Sequence, residues 1–148
     1  MYSLSTDAMP PTTLGHAFAR VPILFSFLPA PRFRVVVEGQ QRELNSRLMD
    51  DVYGIGFEAI VNALRHSWAN EIEVEIDYQH RELRVSIRDN GCGIDPGDLW
   101  LGQGQQRGFR GMRERADRIG ARLRVFSRIA MGTEIELCIP ARAAFAHA

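Results

Sequence analysis

The sequence predicts an α+β domain in which one layer of helices covers a mainly antiparallel sheet. Two observations carry this prediction: segment 44–66 repeats apolar residues at helical spacing, whereas segments 72–87 and 123–139 alternate apolar and polar residues as strands do. With 148 residues, of which 45% are hydrophobic and 24% charged, the chain can bury one such core. One compact domain of two layers is therefore expected.

The chain divides into a lead-in, a domain and a tail. Residues 1–31 are rich in proline and small residues, and only Thr13–Arg20 fits a helical turn or two. Arg32–Glu38 is short and β-branched, which predicts the first strand. We assign the domain to residues 32–140 and a C-terminal tail to residues 141–148.

The long helix is predicted from Leu44 to about His66, although Gly54 and Gly56 lower its helix propensity. Its apolar positions recur every three or four residues: Leu44, Leu48, Val52, Ile55, Ala59 and Ala63. A hairpin follows, with apolar residues at Ile72, Val74, Ile76, Leu83, Val85 and Ile87. A second helix uses Phe109, Met112, Ala116 and Ile119 and ends at Gly120; two strands through 123–125 and 135–139 then close the domain before Pro140.

Composition excludes several classes of protein. The net charge is +0, and all 18 basic residues are arginine. Without lysine there is no P-loop, no lysine–glutamate pair of the eukaryotic-type kinases and no Schiff-base enzyme. Cys92 and Cys138 are too isolated for a disulfide framework or a zinc site, and the longest apolar stretch, 21–31, is far shorter than the roughly 18 residues of a membrane span. A cytoplasmic location is expected.

Polar residues form a stripe along the long helix at Glu58, Asn62, Arg65 and His66. Glutamate and asparagine four residues apart share a helix face, and their oxygen atoms suit a hard divalent cation. A solvated helix face would show the same pattern.

A glycine-rich segment, Asp89–Ile94, directly follows the hairpin. A carboxylate at a strand end can accept a hydrogen bond from an exocyclic amine, while Gly91 and Gly93 let a flat ligand approach the backbone. An ordinary turn remains an alternative; a calcium loop would need alternating acidic ligands and a terminal glutamate, which are missing. The segment opens a long loop that is predicted to run to Gln106.

Two further segments complete the set. Gly108, Phe109, Arg110, Gly111 and Met112 are predicted as a glycine-rich loop that opens the second helix, where free N–H groups suit a phosphate. Gly132 and Thr133 begin the last strand, and by themselves they indicate only a turn.

In this order, ExxxNAxRH, DxGxGI, GFRGMRERA and GTEIEL resemble the ATP-binding domain of sensor histidine kinases, within the gyrase, histidine kinase and MutL ATPase superfamily. The GMRERA stretch is similar to the class that includes the nitrate sensors and the degradative-enzyme sensor. The resemblance covers about residues 32–140. It implies a Bergerat-type fold, a two-layer α/β sandwich whose sheet is mixed but mainly antiparallel.

The resemblance also implies roles. Asn62 would ligate Mg²⁺ on the ATP phosphates, and Glu58 would act through water on the metal or as a base. Asp89 would accept the adenine amino group, with Thr133 sharing a bridging water and Gly91 and Gly93 admitting the purine. Gly108–Gly111 would hold phosphates, Asp95–Arg107 would be a mobile lid, and Arg65 or Arg110 would supply a cation. The implied nucleotide-binding set also contains His66, Ile94, Phe109 and Met112.

A phosphoacceptor is missing, because His16, His80 and His147 do not stand in the usual acidic setting. The implied partners are therefore a phosphoacceptor-histidine dimerisation domain outside this chain and a response regulator. Two alternatives remain: a stand-alone serine kinase of the anti-sigma-factor kind, and a degenerate nucleotide-binding module without turnover. The arginine-rich run 107–128 could also indicate a nucleic-acid patch, but the acidic strand 71–77 balances it and no aromatic residues interleave.

Overall fold

The computed structural model describes residues 2–4, 13–24, 30–66, 68–93 and 106–146. Their strands are β1 (Tyr2–Leu4), β2 (Arg32–Gly39), β3 (Glu71–Tyr78), β4 (Glu82–Asp89), β5 (Arg122–Arg128) and β6 (Gly132–Pro140). Their α-helices are α1 (Leu14–Ala19), α2 (Met49–His66), α3 (Gln106–Arg118) and α4 (Ala141–Ala144), with a 3₁₀ turn at Val21–Leu24.

Within these ranges the strands form one sheet in the order β1-β2-β3-β4-β6-β5. β2 and β3 run parallel, with α2 in the crossover connection that a parallel pair requires, while every other neighbouring pair is antiparallel. The α+β class and the mainly antiparallel sheet are confirmed. Strand β1 was not predicted, since its three residues give no alternation to read; it pairs with β2 through Ser3 and Val36.

The start of the long helix was predicted wrongly. The apolar spacing places it at Leu44, but α2 begins at Met49. Leu44 instead makes an isolated β-bridge with Phe145, and the Asn45 side chain accepts a hydrogen bond from the backbone N–H of Arg47 at 3.2 Å. Leu44 therefore has the spacing of an apolar helical residue although its backbone forms a β-bridge.

The second helix, predicted to use Phe109 and Met112, is confirmed, but it begins earlier than the glycine-rich loop at 108–112 that was predicted to open it. Helix α3 already begins at Gln106, so this segment forms part of its first turns. The two glycines obscure the helix because glycine has low helix propensity, whereas burial of Phe109 and Met112 on one side holds the helix on the core.

The core lies between the helices and one face of the sheet, and it extends beyond residues 32–140. Phe18 of the lead-in is fully buried, with its ring against the backbone of Gly56. After Pro140 the chain forms α4 and buries Phe145, whose ring stacks on Tyr78 with the centroids 6.3 Å apart. Both terminal segments thus contribute to the fold.

The other face of the sheet carries charged side chains in cross-strand rows. Arg34 pairs with Glu73, Arg88 lies 3.4 Å from Glu134, and Arg124 pairs with Glu136. Such pairing neutralises much of the arginine content locally. Among the described residues, no helix combines the length and apolar composition needed to cross a bilayer.

Candidate functional site

Asp89 is the last residue of β4, and the strand register places it opposite Thr133 of β6 and Ile72 of β3. It alternates in phase with buried Ile87, so its side chain is on the helical side of the sheet. Burial raises the pKa of Asp89, while hydrogen bonds from the backbone N–H groups of Gly91 and Thr133 oppose this effect. The result is a half-buried carboxylate beside a buried threonine.

The loop after Asp89 is held on its outer flank by an asparagine pair. The Asn90 side-chain oxygen accepts hydrogen bonds from the backbone N–H groups of Asn70 at 3.1 Å and Glu71 at 3.0 Å. The Asn90 amide nitrogen donates to the Asn70 side-chain oxygen at 2.6 Å. Sequence reasoning missed this contribution, because Asn90 meets residues that lie 19 and 20 positions earlier in the chain.

The loop is held on its other flank by the β5–β6 turn. The carbonyl of Cys92 accepts a hydrogen bond from Ala130 N–H at 2.7 Å. Gly132 has a φ of +102°, and a Cβ there would lie 2.1 Å from the carbonyl oxygen of Asp89. Only glycine permits this approach, so Gly132 is needed to place Asp89. The sequence signal was the glycine directly before Thr133, which taken alone indicates only a turn.

Helix α2 presents Glu58 and Asn62, which lie four residues apart on one face and are both half-buried. The Nδ2 atom of Asn62 is buried and makes no hydrogen bond within the described part of the chain. Leaving such a group unsatisfied costs about 1–3 kcal/mol. Arg65 is exposed on the last turn; His66 ends the helix, and its side chain lies outside the described set.

Helix α3 supplies the glycine-rich segment. The first four N–H groups of a helix have no intrahelical partner, and in α3 these include Gly108 and Phe109. A Cβ at Gly111 would meet no described residue within 4 Å, so packing against the described part of the chain gives no reason for a glycine at this position. Arg110 is exposed and pairs with Glu114 at 3.5 Å, whereas Phe109 and Met112 are buried in the core.

The two helices run antiparallel. The guanidinium of Arg115 lies over Gly54, and Arg118 lies 2.9 Å from Asp51, so positions later in α3 meet positions earlier in α2. The first turns of α3 therefore run toward the part of α2 that carries Glu58 and Asn62. Ile94 and residues 95–105 of the predicted lid lie outside the described residues.

The architecture and the glycine-rich segments define a class of nucleotide-binding ATPase, and the comparison with protein families agrees. Residues 49–143 match the family described as histidine kinase-, DNA gyrase B- and HSP90-like ATPase. Because the match covers more than half of the chain, this chain belongs to that family.

Relatives within the family are sensor proteins, which confirms the resemblance to sensor histidine kinases. The chain is 37% identical to the sensor protein VraS of Staphylococcus epidermidis, over 72% of this chain and 30% of VraS. It is 29% identical to the signal transduction histidine-protein kinase/phosphatase DegS of Bacillus subtilis, over 73% of this chain and 28% of DegS. The chain thus spans under a third of these relatives.

The fold has a solved counterpart. The histidine kinase domain of the Erythrobacter litoralis EL346 blue-light activated histidine kinase superimposes with a TM-score of 0.71 at 22% identity, over 91% of this chain and 70% of that one. At this identity the likeness concerns the fold.

Proposed function

We propose that this chain is the ATP-binding catalytic domain of a sensor histidine kinase, which transfers the γ-phosphoryl group of ATP to a histidine on a dimerisation domain outside this chain. The observation that carries the proposal is the buried Asn62 amide without a hydrogen-bond partner in the described chain. Its place on the part of α2 toward which the first turns of α3 run suits a polar ligand that satisfies this amide.

The adenine end would be read by Asp89. Its carboxylate, which already accepts a hydrogen bond from Gly91 N–H at 2.8 Å, has further lone pairs to accept the exocyclic amine of the base. Thr133 would share a bridging water with it. Gly91 and Gly93 would admit the flat purine, as the resemblance implies. Gly93 also packs against the β5–β6 turn, where a Cβ would lie 2.2 Å from the carbonyl oxygen of Arg128.

The phosphate end would be held by both helices. The free N–H groups at the start of α3 donate to phosphate oxygens, and the helix dipole adds to the attraction. Arg65 or Arg110, both exposed, would supply the cation.

Glu58 and Asn62 fit a magnesium site, because an amide oxygen and a carboxylate are ligands that Mg²⁺ accepts. Asn62 would hold the ion directly and Glu58 through water. When bound, Mg²⁺ would neutralise phosphate charge during transfer.

The implied partners are a phosphoacceptor-histidine dimerisation domain and a response regulator, and the cytoplasm is the expected location. The similarity to VraS and DegS favours this function over an anti-sigma-type serine kinase. A degenerate nucleotide-binding module remains as an outcome of the test.

The test is calorimetric titration of ATP and of a non-hydrolysable analogue, with and without Mg²⁺. Wild type is expected to bind in a magnesium-dependent manner. Asp89→Asn should weaken binding about 10- to 100-fold, since a hydrogen bond to a charged group contributes about 1.5–3 kcal/mol. Asp117→Asn, which changes an exposed carboxylate on α3, is the control and should bind as wild type does.

Asn62→Ala should remove the magnesium dependence; normal dependence in this variant would place the metal elsewhere. Phosphorylation of a separately supplied dimerisation domain tests the transfer itself. Tight ATP binding without any transfer would support the degenerate module instead.

A further inference from the structure

A half-buried ionic contact joins α2 to α3 beyond the residues assigned above. The Arg115 guanidinium lies so close to Gly54 that a Cβ there would be 2.7 Å from Nη1 and 2.8 Å from Cζ. The same Nη1 lies 3.4 Å from Oδ1 of Asp51, which Arg118 also approaches at 2.9 Å. The Asp51 side chain is only 14% exposed, so it is largely shielded from solvent.

Both halves of this contact stand on the faces that carry the proposed phosphate site. On α2, positions 51, 54, 58 and 62 fall on one side of the helix, so Gly54 lies one turn before Glu58. On α3, positions 108, 111 and 115 likewise share one side. The contact between Gly54 and Arg115 therefore makes these two faces meet.

Because the two helices are antiparallel, this contact fixes which residues of α3 lie level with which residues of α2. Gly108 precedes Arg115 by seven residues and Asn62 follows Gly54 by eight, which corresponds to about 10–12 Å along each helix at 1.5 Å per residue. The start of α3 is thereby brought level with Asn62. A planar guanidinium suits this place because it can lie flat against a glycine backbone while it donates to a carboxylate.

We infer that Arg115 is a positioning residue that sets the register of the α3 N-terminus against Glu58 and Asn62. Its guanidinium packs on Gly54 and forms an ion pair with Asp51. The inference rests on the proposed function and assigns Arg115 no contact with ATP. Loss of the contact is expected to weaken binding of the phosphates. Binding of adenine, at the far side of the site, is expected to be unchanged.

The test compares two ligands in the full chain. Affinity for Mg²⁺-ATP is measured by calorimetry, and affinity for adenosine, which has no phosphates, from the shifts of the Gly91 and Gly93 amides in NMR spectra. Gly54→Ala displaces the guanidinium by collision, and Arg115→Gln removes its charge without collision. Arg118→Gln is the matched control, because it removes the other partner of Asp51 and leaves the packing of Arg115 on Gly54 intact.

Gly54→Ala and Arg115→Gln are expected to weaken ATP binding about tenfold and to change adenosine affinity less than about twofold. Arg118→Gln should leave both affinities within about twofold of wild type. If Gly54→Ala does not fold, Arg115→Gln decides alone. Equal weakening of both ligands, unchanged ATP affinity, or an equal effect of Arg118→Gln would overturn the inference. Absence of ATP binding to wild type would instead refute the proposed function.

Discussion

The two ends of the candidate site differ in how far other described residues contact the groups that form them. At the proposed adenine end, the loop after Asp89 is tied to β3 through Asn90 and to the β5–β6 turn through Cys92. At the proposed phosphate end, the Asn62 amide has no hydrogen-bond partner in the described chain, and a Cβ at Gly111 would meet none of the described residues within 4 Å. A substitution at the first end should therefore change stability and ligand affinity together, whereas a substitution at the second end can change one without lowering the other.

The largest effect is expected for Gly132→Ala, at the proposed adenine end. Its methyl group would collide with the Asp89 carbonyl oxygen, and its φ of +102° is strained for any L side chain. Denaturant unfolding should show a loss of about 2–4 kcal/mol, and ATP affinity should fall with it because Asp89 moves. Gly120→Ala is the control: its φ is +70°, but its Cβ would meet no atom of the described segments within 4 Å, so a loss of only about 1 kcal/mol is expected. Similar losses in the two variants would show that the close approach contributes nothing.

A smaller effect, dependent on pH, is expected from the Asp89 carboxyl in the absence of nucleotide. Because burial raises its pKa, its contribution to stability is full below the unfolded-state pKa and is lost as pH rises through the folded-state pKa. Asp89→Asn should therefore increase the free energy of unfolding relative to wild type at pH 7. At about pH 3, below the usual carboxyl pKa of ~3.9, the difference should disappear. Urea unfolding at both pH values measures it; a less stable variant at pH 7 would contradict the burial argument.

Periodic burial explains which parts of the fold the sequence could predict. The hairpin and α2 each bury one face. Their apolar residues therefore recur with the period of a strand or a helix, and this makes both elements predictable. Gly54 and Gly56 looked like weak points of the helix, but one accommodates Arg115 and the other Phe18. The terminal segments were underestimated because they fold in pieces too short to show a period, and the core contacts of Phe18 and Phe145 come from distant parts of the chain.

The same limit applies to the site. Asp89 and Thr133 could be predicted as neighbours only through the resemblance, and their strand register now places them opposite each other. The partners of Arg115 could not be predicted, since Asp51 lies 64 residues earlier and its contact depends on how two helices pack. Local patterns thus indicate candidate ligand-binding residues more readily than the residues that hold those candidates in place.

Gly111→Ala tests the proposed phosphate end and should change stability in the opposite direction. Alanine is favoured over glycine within a helix by about 0.5–1 kcal/mol, and its methyl group would meet none of the described residues within 4 Å. The free protein should gain about that much stability in urea unfolding, while ATP affinity falls because the methyl group occupies space beside the phosphates. Adenosine affinity should not change. A variant that is more stable and binds ATP as tightly as wild type would place the phosphates away from Gly111.

The smallest effect is expected for Arg32 on the charged face of the sheet, although Arg32 and Glu71 line the same cavity as Asp89. Arg32 lies 3.2 Å from Glu71, but the two side chains are 81% and 57% exposed, so solvent screens the pair. Arg32→Gln should lower the free energy of unfolding by less than about 1 kcal/mol, and added salt should reduce the difference further. ATP affinity should equal that of wild type, because the pair stands at the parallel start of β2 and β3 on the face opposite the helices. If ATP affinity fell in this variant, the charged face would belong to the site and the contrast between its two ends would be incomplete.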